Sequence, residues 1–274
     1  MRHAFLTLPL LLAASPLALA AQPCAHSAPL QLQLDLEGVR QVRFEAGPHD
    51  LRLDAAPGAA HRLAGRACAS RAELLGQLEV TQQREDQTLV VRLHSGAKPS
   101  LLPGNHYARI ELAGSVPDDR LVQLLVGSGQ ARLQGAASAS VDLGSGDVEL
   151  HRIRGQVTAR VGSGDLEVRG AGALKVLDIG SGDVEASDIA GATEVQRIGS
   201  GELELERGAS LEIGTIGSGD ANARDLTGAV RVGRIGSGDL RVHGAASLEV
   251  GAVGSGDIEH DGIKGSVQLP RGHH

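Results

Sequence analysis

A four-residue motif, Gly-Ser-Gly-Asp or a one-letter variant, begins at Gly127, Gly144, Gly162, Gly180, Gly199, Gly217, Gly236 and Gly254. The intervals are 17 to 19 residues, each holding two short runs of Val, Leu, Ile and Ala. A unit that short cannot bury an apolar face alone, so neighbouring units must stack and share a core. In the unit from Gly144, Val148 and Leu150 alternate with Glu149, and Val157, Ala159 and Val161 alternate with Thr158 and Arg160. This period of two describes two short strands joined by glycine-rich corners. The predicted fold is all-β: a parallel β-helix, or β-solenoid, of units of about 18 residues. One-residue slips between units are expected as bulges in the second strand.

The units fall into two alternating classes. Those at Gly127, Gly162, Gly199 and Gly236 carry Gly135-Ala136, Gly170-Ala171, Gly208-Ala209 and Gly244-Ala245. The others carry Ile153-Arg154-Gly155, Ile189-Ala190-Gly191, Leu226-Thr227-Gly228 and Ile263-Lys264-Gly265. Arg160, Arg197 and Arg234 recur at 37 residues, in the second class only. Like would stack on like if one turn held a pair of units, so the alternation favours 37-residue turns. The competing reading is an inherited duplication of a two-unit segment.

Residues 1–20 have the form of a signal peptide: basic Arg2, an apolar stretch from Ala4 to Ala14, and Ala18-Leu19-Ala20 as cleavage site. The apolar stretch is too short to span a bilayer, and the residues before Cys24 resemble no lipobox. Export favours pairing the two cysteines, Cys24 and Cys68, as a disulfide. The expected address is the periplasm, with the cell surface or the medium as alternatives. Residues 21–118 lack the motif and read as a mostly β capping region, followed by the solenoid over 119–274. In the cap, Leu30 to Leu36 alternate with polar residues. Ser70-Arg71-Ala72-Glu73 has capping-box spacing for a short helix over 71–75. The segments 78–80 and 89–93 form a hairpin, and 98–105, with Pro99, Pro103 and Gly104, form a loop.

Formal charge is −7, or −8 once Arg2 is removed with the leader, which disfavours nucleic acid. Tryptophan is absent, and Phe44 and Tyr107 are the only aromatics after the leader, so stacking platforms for bases or sugars are lacking. The most tempting site residues are Asp147, Asp165, Asp183, Asp220, Asp239 and Asp257, with Gln130 and Glu202 at the equivalent places. Stacked carboxylates repel. Asp and Ser accepting hydrogen bonds from corner amides, glycines at positive φ, and the nearby Arg160, Arg197 and Arg234 are the expected offsets. The functional reading of these residues is calcium binding. Against it, known calcium solenoids use nine-residue repeats with a different Asp position.

Glu149, Glu167, Glu185, Glu204 and Glu259 form an outward stripe interrupted by Asn222 and Arg241. It reads as a solvated face that also discourages edge pairing. A polysaccharide-cleaving face would need two carboxylates in unequal environments, which even repetition does not create. Ser95 and Lys98 match a Ser-x-x-Lys spacing without its companion motifs. The histidines, among them His94, His106, His151 and His243, lack ligand spacing, and terminal His273-His274 is at most an adventitious metal binder. No cofactor motif is found, and the chain is expected not to be an enzyme.

The array from Gly127 to Asp257, with runs such as Gly144-Ser-Gly-Asp-Val-Glu-Leu and Gly254-Ser-Gly-Asp-Ile-Glu, resembles the bacterial auto-transporter adhesin, head GIN domain family. The resemblance implies a β-solenoid of unknown biochemical function in Gram-negative bacteria. No translocator barrel follows the array, which favours the periplasm over surface display. Two functional classes follow: a binding or adhesion module for an envelope protein or glycan, and an envelope structural protein that self-associates.

Overall fold

The computed structural model describes residues 24–58, 61–96 and 106–270. The leader, the 98–105 loop with Lys98, and His273-His274 lie outside them. The chain is a parallel β-solenoid of about eight turns with roughly 18-residue spacing. Cross-strand register defines the turn. Asp147 aligns with Asp165, Asp165 with Asp183, Asp183 with Glu202, and Glu202 with Asp220. One unit is therefore one full turn, and the 37-residue pair is two. The paired-unit expectation is corrected.

Each turn has two flat faces. The first carries the strand that follows the tetrapeptide, as in β9 (Gln130–Gln134). The second carries the strand that precedes the next one, as in β10 (Ser138–Leu143). In later turns the two merge into one long ribbon around the second corner, beginning with β11 (Asp147–Val161). The core between the faces is one column of Val, Leu, Ile and Ala. Leu150, Val157, Val161, Val168 and Ile179 are fully enclosed.

The first corner is the tetrapeptide, and its glycines are required by close approach. A Cβ at Gly146, Gly164, Gly182, Gly201, Gly219, Gly238 or Gly256 would lie 1.7–2.1 Å from the carbonyl oxygen of the glycine one turn below. None of these glycines has positive φ, so the expectation of left-handed glycines at this corner is corrected. The main chain holds the corner. The carbonyl of Gly144 accepts from Ser163 N at 2.7 Å and Gly164 N at 3.1 Å, and the same pair of bonds recurs up the stack.

The left-handed residues sit at the second corner. Gly135, Arg152, Gly170, Asp188, Arg207, Asp225, Gly244 and Gly262 have φ between 53° and 78°. The residue after each points inward, and this column alternates in size: Ala136, Ile153, Ala171, Ile189, Gly208, Leu226, Ala245, Ile263. Two large side chains would crowd one another at successive levels of a narrow corner, whereas a large one can lean over a small one. A Cβ at Gly208 would stand 3.1 Å from Leu226 Cδ2. Corner length follows size. Two residues separate Ala171 from inward Leu174 and Gly208 from Leu211, whereas three separate Ile153 from Val157 and Leu226 from Val230.

Register slips fall at this corner between Ile153 and Gln156, Ala171 and Leu174, and Ile189 and Ala192. One slip, between Ala159 and Arg160, is the expected second-strand bulge. It persists in later turns, where two residues separate Val176 from Ile179 and Val195 from Ile198. A long corner adds one residue and the bulge another, which accounts for unit lengths of 17, 18, 18, 19, 18, 19 and 18. The alternation is therefore core packing.

Parallel stacking extends below the motif-bearing array. β2 (Gln41–Gly47) lies under β8 (Leu121–Val126), and β3 (Asp50–Ala55) lies under β9, with Asp50 facing Gln130. Gly47-Pro48-His49-Asp50 thus occupies the tetrapeptide corner one turn lower. A further turn lies beneath it, made from later sequence: β6 (Thr88–Ser95) under β2 and β7 (Ala108–Val116) under β3. Beyond these, pairing turns antiparallel. β4 (Arg62–Ala69) joins β7 and β1 (His26–Gln33) joins β4 on the first face, while β5 (Leu78–Glu85) joins β6 on the second. The sheet runs unbroken across residue 118.

The hairpin over 78–95 and the short helix α1 (Ala72–Leu75) are present. The expected capping box is not: Arg71 is the N-cap without a side-chain bond, and Ser70 Oγ accepts from Tyr107 N at 3.2 Å. Cys24 and Cys68 form a disulfide with a Cα–Cα distance of 5.3 Å, fixing the chain ahead of β1 to β4.

Candidate binding face

The first face carries three outward columns. The tetrapeptide acids form the first, and its like charges are offset by hydrogen bonds along the stack. Asp183 Oδ1 accepts from Glu202 N at 3.1 Å, Asp220 Oδ1 from Asp239 N at 2.9 Å, and Asp239 Oδ1 from Asp257 N at 3.1 Å. Gln130 Nε2 donates to Asp147 Oδ2 at 3.0 Å. The arginines expected to help are elsewhere. Arg160 and Arg197 lie on the second face, 3.9 Å from Asp142 and Asp178, and Arg234 aligns with Thr215 there. Two residues in sequence separate each arginine from its tetrapeptide, but the chain turns the corner between them.

Among the described residues, the one group of three metal-ligating side chains within 4.8 Å of one another is Cys24, Cys68 and Glu111, where the sulfurs are already bonded together. The calcium candidates Asp147, Asp165, Asp183, Asp220, Asp239 and Asp257 form a row and do not converge in threes.

The second column is the glutamate stripe, with Glu149, Glu167, Glu185, Glu204 and Asn222 in register. Glu259 follows Arg241 one turn later. The third column interleaves bases, and Arg169 pairs with Glu167 and Arg224 with Glu204. Arg132, one turn below Glu149 in the second column, reaches it at 2.9 Å. His151 lies between these pairs, with Nδ1 3.2 Å from Arg132 Nη2 and Nε2 3.7 Å from Glu167 Oε1, and burial pushes its pKa down. Exposed pairs of this kind contribute about 0–1 kcal/mol each. Together they make a flat and densely charged surface.

The glutamates of the stripe all point outward on adjacent turns of one strand face, but their exposure differs, from 25% for Glu167 to 82% for Glu259.

At the N-terminal end the pattern changes. Asp50, Arg52, Arg66, Arg109 and Glu111 surround a dent of about 460 Å³ floored by Ala64, Gly65 and Ala113. Glu111 receives Arg66 Nη2 at 2.7 Å and Arg109 Nε at 2.9 Å. Burial alone pushes the Glu111 carboxyl up, and the hydrogen bonds from Arg109 and Arg66 outweigh it, leaving the pKa below its ordinary value. Burial raises that of Asp50, against the pull of Arg109 and Arg52. Arg109 also stacks on Tyr107, with Cζ 5.5 Å from the ring centroid, and Tyr107 Oη accepts from Ala25 N at 2.9 Å. Sequence reasoning passed over this dent, since its residues come from β3, β4 and β7. The signal that could have found it is Gly47-Pro48-His49-Asp50, a degenerate tetrapeptide followed by alternating Leu51-Arg52-Leu53.

His49 takes the place of the second glycine in that corner. It is fully buried, and Nδ1 accepts from Ile110 N at 3.2 Å. Burial, with a smaller effect of His94, lowers its pKa to about 4. The Ser95 to Lys98 spacing lies partly outside the described residues, and no helix among those described is long and apolar enough to cross a membrane.

No family model matches the chain, and no curated protein does. Solved structures are similar to the chain. A "putative lipid binding protein" from Parabacteroides distasonis is similar over 86% of this chain and 97% of its own, with 17% identity and a TM-score of 0.56. A "putative adhesin" from Bacteroides fragilis aligns over 91% and 99%, with 12% identity and a TM-score of 0.46. Another from Parabacteroides merdae covers 86% and 97%, with 15% identity and a TM-score of 0.43. At these identities the likeness to the lipid-binding neighbour establishes the solenoid fold and nothing finer.

Proposed function

We propose that the protein is an exported, non-catalytic β-solenoid that binds a component of the bacterial cell envelope through its first face. The observation that carries this reading is the register: charged and polar side chains, several of them ion-paired, stack turn upon turn into one outward surface along the array. The leader-like residues 1–20 and the Cys24–Cys68 disulfide support export, with the periplasm as the address. The resemblance to the auto-transporter adhesin, head GIN domain family points toward binding. The name of the Parabacteroides distasonis neighbour mentions lipid. Here the exposed large apolar residues among those described are only Leu125 and Val267, so a polar ligand suits the surface better.

Cell fractionation followed by pull-down from envelope extracts tests the reading. Wild-type protein should retain a specific envelope component without converting it, and a variant with Glu149, Glu167, Glu185 and Glu204 changed to Gln should lose it. Capture of copies of the chain alone would favour an envelope structural role. Turnover of the captured component would contradict the non-catalytic reading.

A further inference from the structure

The outward column containing the glutamate stripe holds a long or polar side chain at every turn from Arg52 through Arg132 and Glu149 to Glu259. Below Arg52 it changes to Ala113 and then Ala64, both exposed. Packing does not require small residues at exposed positions, yet here two in succession open the dent. Its rim is also unlike the rest of the face. Three arginines face two carboxylates, in a chain whose formal charge is −7. Glu111 engages Arg66 and Arg109 through one oxygen each. Each guanidinium presents five N–H donors, so both keep donors to spare. Arg52, on the opposite rim, makes no ion pair within 4 Å among the described residues.

We propose that this dent binds the carboxylate of an acidic sugar residue, with Arg52 and Arg109 as the anion-binding groups and Glu111 as the residue that positions Arg66 and Arg109. The volume of about 460 Å³ is of ligand-site size. The floor carries two methyl groups and the Gly65 backbone, so no long side chain there bars a sugar ring. No large apolar side chain is exposed at the rim, which disfavours a lipid headgroup still carrying its acyl chains. Tyr107 is already covered by Arg109, so affinity comes from charge-assisted hydrogen bonds and should fall with salt. The inference rests on the binding-module reading and names its ligand class.

Calorimetric titration of the full chain with oligogalacturonate, a neutral glucan oligomer, inorganic phosphate and phosphatidylcholine/phosphatidylglycerol vesicles tests it. Oligogalacturonate should bind, with Arg52→Ala weakening it about tenfold or more and Ala113→Glu abolishing it. Both substitutions are at exposed positions, and an unchanged melting temperature confirms folding. Equal binding of the neutral oligomer, no binding of oligogalacturonate, or binding indifferent to both substitutions overturns the proposal. So does binding of phosphate or vesicles in preference to oligogalacturonate. Envelope capture that persists while the dent variants change nothing would sink this site and spare the binding module. Shortening of the oligogalacturonate by wild-type protein would instead sink the non-catalytic reading.

Discussion

The two corners of each turn solve the same problem in opposite ways. At the tetrapeptide corner every turn is alike, because backbone sits on backbone and only glycine leaves room for the carbonyl below. At the second corner side chains meet, so successive turns must differ: small then large, short then long. The difference teaches that sequence uniformity marks main-chain contact, whereas alternation marks side-chain packing. It also explains how an 18-residue turn can leave a 37-residue signature.

Substitutions should separate the corners. Gly182→Ala places a Cβ 2.0 Å from Gly164 O and should cost about 4 kcal/mol or more. Gly170→Ala meets nothing closer than 3.8 Å and carries only the left-handed φ of 76°, a cost of about 1–2 kcal/mol. Urea unfolding of the two variants measures the contrast; equal losses would erase it.

The lowest tetrapeptide-like corner breaks the rule, since His49 stands where glycine is otherwise required. In the turn beneath, twelve residues of sequence lie between Ser95 at the end of β6 and Ala108 at the start of β7, where two lie between β2 and β3. The imidazole is buried there against β7, accepting from Ile110 N. Its folded pKa of about 4 lies below the ordinary 6.5, so the unfolded chain takes up the extra proton first as pH falls. This contribution is complete above about pH 6.5 and is lost between there and about pH 4, amounting to at most about 3 kcal/mol. Stability measured against pH for wild type and His49→Gln should differ in slope across that window and be parallel above it.

Gly208→Val should overpack the second corner under Leu226 and cost about 2 kcal/mol. Leu226→Ala in the same chain should recover part of that, giving a coupling of about 1 kcal/mol in a double-mutant cycle. Additive losses would remove the size alternation as the cause. The smallest effect concerns the acids of the first corner. With its row held by hydrogen bonds, melting temperature should agree within about 1 °C between excess chelator and millimolar calcium. A calcium-dependent rise would restore the calcium reading of Asp147, Asp165, Asp183, Asp220, Asp239 and Asp257.

The repeat was legible because its determinants are local: Gly-Ser-Gly-Asp turns the chain, and Val148, Leu150, Val157 and Val161 alternate within one unit. The Cys24–Cys68 pairing was legible from the count of two and the export expected of the leader-like residues 1–20. The turn length was not, because spacing alone cannot tell Ile153 packing beside Ala136 and Ala171 from Ile153 stacked on Ile189. The lower turns were hidden for another reason. β6 and β7 come after β2 and β3 in the chain but lie beneath them, so the dent joins Arg52, Arg66 and Arg109 through long-range pairing that no local pattern encodes. The arginines assigned to the tetrapeptide acids failed similarly, since neighbours in sequence at a corner belong to different faces.

Every column, face and rim described above depends on one unit making one turn. Pulsed electron–electron resonance between spin labels at positions 149 and 241 tests this directly. In the stacked register these lie five turns apart on one face, and at about 4.8 Å per turn their backbones are about 24 Å apart along the axis. A distance distribution centred near that value, broadened by the label arms, is the expected result. A separation of about half that would mean two units per turn and would contradict the account.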